Sequence, residues 1–163
     1  MATHRNKKSK NFLGTNQGRS CDFTNIIGCA NPTYIINRAT GYYIGRGTVY
    51  NTNGVTAVLD YKYDKWCINN CFIANTANGN VLDVAESNLT KKQVLIWPIH
   101  TDTTGNQVWV VKKESTGFSS IRTQTDDSGL ALASIDDHFP PTHGLTLLNY
   151  DINDVRQQWI IQQ

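Results

Sequence analysis

The apolar residues of this chain fall in short runs, several of them alternating with polar neighbours, and Gly, Asn, Thr and Asp punctuate the runs along the whole length. Aromatic and β-branched residues are common in them and no long helix-forming run interrupts them. The pattern predicts an all-β chain of short strands joined by turns. Three segments share one plan. An alternating strand opens each (residues 33–41, 71–79 and 119–129) and ends in a small-residue turn, Thr40-Gly41, Asn78-Gly79 or Ser128-Gly129. A short second strand, a third strand (55–59, 93–99, 145–148) and a fourth ended by Trp66, Trp109 or Trp159 follow. Tryptophan-ended units at about 40- to 50-residue spacing predict a threefold arrangement of four-stranded repeats, beginning near Pro32 and running to the C-terminus.

The middle unit, residues 81–111, is where strand signals, turn signals and candidate chemistry coincide. Its strand at 81–84 is apolar except for Asp83, a charge that must be hydrogen-bonded or exposed. A second strand covers 93–99, a polar loop containing Gly105 covers 101–106, and the closing strand covers 107–111. Two strands and a polar loop then face one shallow cleft. Once the core is assigned, Asp83, Trp97, His100 and Asn106 remain, and their types suit a sugar. Hydroxyls need an acceptor and a donor, which a carboxylate and a carboxamide supply. The C–H face of a hexose is apolar and lies flat on an aromatic ring, here Trp97. The plain alternative is a half-buried strand tryptophan beside a solvated acid.

The order Leu82-Asp83-Val84, a gap, Ile96-Trp97-Pro98, a polar loop, then Asn106-Gln107-Val108-Trp109 resembles the signature of the ricin-type (R-type) lectin β-trefoil, including its Gln-x-Trp element. The resemblance implies an all-β β-trefoil of three four-stranded repeats, a short barrel capped by hairpins. It implies that Asp83 binds sugar hydroxyls, Trp97 stacks on the ring, Asn106 donates to a hydroxyl, Gln107 braces the site and Trp109 points into the core. His100 falls where the family often places another polar contact. Leu95 departs from the glutamine frequent two positions before the stacking residue, so one contact or one brace is missing. The family's usual ligand is galactose or N-acetylgalactosamine. In the third unit Gln157-Gln158-Trp159 keeps the element, but Arg156 replaces the asparagine, Leu130-Ala131-Leu132 occupies the aspartate strand, and Leu148 falls near the stacking position with Tyr150 as a substitute. In the first, Asp64-Lys65-Trp66 keeps only the tryptophan and Tyr43-Ile44-Gly45 has no carboxylate. One competent site is expected, in the middle repeat.

Length and charge narrow the picture. At 163 residues the chain suits one domain. It divides into a basic tail (1–20) expected to be mobile and dispensable for the fold, a cysteine-containing lead-in (21–31), and the trefoil (32–163, repeats at about 32–70, 71–117 and 118–163). The net charge of +2 hides an asymmetry: Arg5, Lys7, Lys8, Lys10 and Arg19 lie in the first 20 positions without an acid, leaving ten bases against thirteen acids elsewhere, a net of −3. No basic cluster on the body suits nucleic acid, and no apolar run is long enough to insert into a membrane. The N-terminus has the positive charge of a signal peptide without its apolar segment, so a cytoplasmic location or non-classical release is expected. The sequon Asn88-Leu89-Thr90 is then a chance match.

Four cysteines leave their pairing open. Cys67 and Cys71 would lie near each other across a turn at Asn69-Asn70, and two reduced thiols are expected there, with a disulfide between them the alternative. A Cys21–Cys29 disulfide is also open, and a four-cysteine metal site is weaker. No metal or cofactor is expected. Nor is catalysis: Asp83 and Asp102 are the only acids of the central stretch with plausible proximity, and Asp126-Asp127 and Asp136-Asp137 are adjacent pairs in loops, so no fixed carboxylate separation for glycoside hydrolysis emerges. His138 and His143 flank Pro140-Pro141 without a further ligand. The same stiff loop, 135–144, supports a rival function, a protein-interaction trefoil such as a protease inhibitor. A lectin with one weak site would need a homodimer, or a place as the glycan-binding part of a toxin or haemagglutinin complex.

Overall fold

In a computed structural model, residues 29–69, 71–87, 93–100, 105–123, 129–136 and 144–163 are described. The basic tail, most of the lead-in, the sequon, Asp102, Asp126, Asp127, Asp137 and the histidines His138 and His143 with the prolines between them lie outside those residues. Within the described residues no helix is long and apolar enough to cross a membrane.

Twelve strands are described: β1 (Tyr34–Asn37), β2 (Tyr43–Val49), β3 (Val55–Asp60), β4 (Trp66–Asn69), β5 (Phe72–Asn75), β6 (Val81–Val84), β7 (Val94–Trp97), β8 (Trp109–Lys113), β9 (Ser119–Thr123), β10 (Leu130–Ser134), β11 (Leu145–Asn149) and β12 (Trp159–Gln162). They fall into three units of four. In each unit the two middle strands form a hairpin, β2–β3, β6–β7 and β10–β11. The outer strands close a ring. β1 pairs with β12, β12 with β9, β9 with β8, and β4 with β5. The Trp109 N–H donates to Cys71 O at 2.8 Å, joining β8 to β5, and a Thr33–Trp66 bridge joins β4 to the start of β1. The closed ring and three capping hairpins are those of a β-trefoil.

Local chemistry explains the repetition. Gly41, Gly79 and Gly129 have φ of +72°, +75° and +57°, a conformation that costs a side-chain-bearing residue and not glycine. The three repeat tryptophans are fully buried in one core with Ile35, Ile73 and Ile121, the middle residues of the strands that open each unit. Each indole N–H donates to a carbonyl on the second strand of its own unit: Trp66 to Ile44 at 2.9 Å, Trp109 to Leu82 at 3.0 Å and Trp159 to Leu132 at 3.0 Å. Burying one such side chain is favourable by on the order of 4–6 kcal/mol before ordering entropy is counted. The polar end of each ring is satisfied as well.

Two expectations are corrected. The strand expected at 93–99 stops at Trp97, because Pro98 has no N–H for the ladder, and the one expected at 107–111 begins at Trp109. Cys67 and Cys71 are not reduced, and neither of the pairings left open by the sequence occurs. Cys29 is bonded to Cys67, with Cα atoms 5.6 Å apart. Cys71 is disulfide-bonded too. The register explains why the neighbours in sequence do not pair: Cys67 lies opposite Ala74, and Cys71 falls in the turn before β5.

Candidate functional site

Asp83 is at the centre. It sits on β6, where its neighbours Leu82 and Val84 are fully buried, and is itself only 3% exposed. Across the hairpin it faces Leu95, also buried. Gln107 Nε2 donates to Asp83 Oδ2 at 2.8 Å, and His100 Nε2 lies 3.6 Å from the same oxygen. Burial pushes the Asp83 carboxyl from an ordinary 3.8 up to about 6, while hydrogen bonds from Gln107, Asn106 and His100 and the charge of the nearby His100 ring pull it back.

Gln107 does more than brace the acid. Its Nε2 also donates to Pro98 O at 3.0 Å and its Oε1 accepts from the His100 N–H at 3.0 Å, so a side chain replaces the ladder bonds lost beyond Trp97. Gln157 does the same in the third unit, bonding Asn149 O at 2.8 Å and the Asp151 N–H at 2.9 Å. The first glutamine of the Gln-x-Trp run therefore fixes the loop after the third strand, and in the middle unit it also reaches the buried Asp83 carboxylate. Asn106 is anchored in both directions to Val84: its carbonyl accepts the Val84 N–H at 2.9 Å and its Nδ2 donates to Val84 O at 3.1 Å. One carboxamide hydrogen is thus committed to the fold.

These residues open onto a cleft of about 300 Å³ lined by Tyr50, Asn51, Asp83, Glu86, Leu95, Trp97, His100 and Asn106. Trp97 is half-buried at the end of β7, and Tyr50 meets it edge-on, with ring centroids 6.4 Å apart at 74°. The sequence-derived candidates Asp83, Trp97, His100 and Asn106 line one cleft, and Gln107 supports it from behind. Tyr50, Asn51 and Glu86 were not anticipated. The pairing of β3 with β7, Val55 opposite Ile96 and Thr56 opposite Leu95, brings the tip of the β2–β3 hairpin from the first unit over the middle one.

Neither of the other units repeats the arrangement. The indole hydrogen bonds align Leu82 with Ile44 and Leu132, so the positions equivalent to Asp83 are Gly45 and Ala133. In the first unit Asp64 stands where Gln107 stands in the second and is taken up by Arg46, which it pairs at 3.0 Å and 3.1 Å, while also accepting the Arg46 N–H. In the third, Tyr150 is no open stacking surface, because the Arg122 guanidinium lies 4.3 Å above its ring and its hydroxyl bonds Glu114.

No protein-family model matches the sequence, and no curated protein matches it. Solved structures do. The designed threefold-symmetric protein ThreeFoil is 15% identical with a TM-score of 0.67, covering 81% of this chain and 98% of its own. The C-half of an earthworm R-type lectin, in complex with GalNAc, is 15% identical with a TM-score of 0.62, covering 80% of this chain and 97% of its own. A mosquitocidal holotoxin is 19% identical with a TM-score of 0.66 over 81% of this chain and 17% of its own. At these identities the likeness is one of fold, and the chain is a β-trefoil.

Proposed function

We propose that this trefoil is a carbohydrate-binding protein with its site in the middle repeat. The observation that carries the reading is the pairing of a buried, glutamine-braced acceptor, Asp83, with a half-buried indole, Trp97, in one cleft. A carboxylate relieved of bulk water and an aromatic face match the two surfaces of a hexose. The GalNAc complex of the earthworm lectin supports galactose or N-acetylgalactosamine as the first sugars to try. The site binds and does not cleave: Asp83 is committed to Gln107, and Glu86 stands exposed on the rim.

One shallow site holds a monosaccharide at around millimolar strength, roughly 4 kcal/mol, so useful avidity comes from a homodimer or from a carrier such as a toxin or haemagglutinin complex. The Cys29–Cys67 disulfide favours a protein released to an oxidising compartment over a cytoplasmic one. Titration calorimetry with galactose and N-acetylgalactosamine on the wild type, Asp83→Ala and Trp97→Ala tests the reading. Binding by the wild type alone supports it. Equal heats from all three folded proteins, or none from the wild type, sink it.

A further inference from the structure

The cleft is not the property of one repeat. Tyr50 and Asn51 come from the tip of the β2–β3 hairpin, in the first unit, and they face a carboxylate and an indole that belong to the second. The tip is built to stay there. The Tyr50 and Asn51 N–H groups donate to Gly54 O at 3.0 Å and 3.3 Å, and Asn51 Oδ1 accepts the Asn53 N–H at 2.8 Å. Gly54 lies so close to the indole that a Cβ there would stand 2.4 Å from Trp97 Cε3 and 2.8 Å from Ile96 O. The absence of a side chain is what lets hairpin and indole touch.

We propose that this cleft binds an uncharged oligosaccharide through two subsites, the first on Trp97 and Asp83 and the second on Tyr50 and Asn51, with Glu86 at the rim. The assignment rests on the carbohydrate-binding reading and adds the second subsite and the charge of the ligand. Two rings at 74° make a corner. One pyranose lies flat on the indole face, and a sugar linked to it is carried off that face against the second ring. Tyr50 is 38% exposed, so its ring is open to a ligand. Asn51 Oδ1 is held in the turn, and among the described residues its carboxamide nitrogen makes no hydrogen bond, which leaves a donor for a hydroxyl.

Charge narrows the ligand further. Two carboxylates, Asp83 and Glu86, and one imidazole, His100, line the described cleft, and among the described residues no lysine or arginine does. A sialylated or uronic glycan would bring a third negative charge into a site partly withdrawn from water, so neutral glycans are selected. Glu86 sits in a single 3₁₀ turn at Ala85–Ser87 with φ +56°, the one non-glycine residue of positive φ among the described residues. That conformation costs about 1 kcal/mol, and such strain gathers at ligand sites.

The test is a set of affinities for methyl β-galactoside, a panel of neutral disaccharides (lactose, N-acetyllactosamine, melibiose) and 3′-sialyllactose, measured on the wild type, Tyr50→Ala, Tyr50→Phe, Asn51→Ala and Val49→Ala. In the wild type at least one neutral disaccharide binds roughly three- to tenfold tighter than the monosaccharide, the gain one aromatic contact supplies, and sialyllactose binds more weakly than lactose. Tyr50→Ala and Asn51→Ala bring the disaccharide-to-monosaccharide ratio down towards one, and Tyr50→Phe, which keeps the ring, preserves most of it. Val49→Ala, an exposed neighbour outside the cleft, changes neither ratio nor affinity. A ratio of one in the wild type or a ratio untouched by Tyr50→Ala overturns the second subsite, and tighter binding of sialyllactose overturns the selection of neutral glycans, while each leaves the first subsite standing. If the monosaccharide itself does not bind, the carbohydrate reading has failed and the subsite falls with it.

Discussion

Under the proposed carbohydrate-binding function, Asp83 ties stability and binding to pH with opposite signs. Burial among Leu82, Val84 and Leu95 pushes its carboxyl up to about 6 in the folded protein, against an ordinary 3.8. Between those values the folded protein holds a proton that the unfolded chain has lost. The stability owed to that proton is fully present below about pH 4 and is lost as pH rises through 6, a difference on the order of 3 kcal/mol. Sugar binding needs the anion as acceptor. Its fraction falls from about nine-tenths at pH 7 to about one-tenth at pH 5, so affinity falls roughly tenfold over that interval. Calorimetric titration with galactose from pH 4.5 to 7.5, beside melting curves at each pH, measures both. Asp83→Asn keeps the shape and one acceptor for Gln107 but cannot ionise. It should melt higher at pH 7 by about 1–3 kcal/mol, each worth roughly 2–4 °C, and lose binding at every pH. His100→Gln removes the imidazole beside Asp83 and shifts the binding midpoint upward, because that imidazole no longer favours the carboxylate. Affinity that does not change between pH 5 and 7, or an Asp83→Asn protein that melts lower than wild type, would refute the reasoning.

Further outcomes follow from the same geometry. Gln107→Ala leaves Pro98 O and the His100 N–H without their partner and should cost about 2–3 kcal/mol in denaturant melts while abolishing sugar binding; Gln157→Ala should cost a similar amount and leave binding intact. Gly54→Ala should keep the fold but push the indole aside, weakening galactose by about tenfold with a change in Trp97 fluorescence. Cys67→Ser opens a disulfide spanning 38 residues, worth about 4 kcal/mol of loop entropy, so the melting point should drop with no change in affinity at low temperature.

The trefoil was legible because it is written in local rules repeated three times. A turn glycine after each opening strand and a tryptophan at each unit's end need no knowledge of distant contacts to be recognised. The cluster of Asp83, Trp97, His100 and Asn106 was legible for a related reason: the residues come from one hairpin and the loop that follows it, so sequence order keeps them together. What crosses between units was not. Cys67 and Cys71 are close in sequence, yet the register that sets Cys67 against Ala74 sends it to Cys29. Tyr50 and Asn51 lie more than thirty residues before Asp83 and reach the cleft only through the β3–β7 pairing, a contact no turn or alternation announces. Leu95 was visible as a departure from a pattern, but its consequence, an apolar wall against the carboxylate, needed the β6–β7 register.

The central claim is that Trp97 and Asp83 together hold a sugar, and the indole N–H signals of the four tryptophans test it most directly. Trp66, Trp109 and Trp159 are buried with their N–H groups on backbone carbonyls, so they serve as internal controls. On saturation with galactose or N-acetylgalactosamine, the account predicts that the Trp97 signal moves, that the other three hold still, and that the movement vanishes in Asp83→Ala. A folded protein in which neither sugar moves the Trp97 signal, or in which it moves equally well without Asp83, would contradict it.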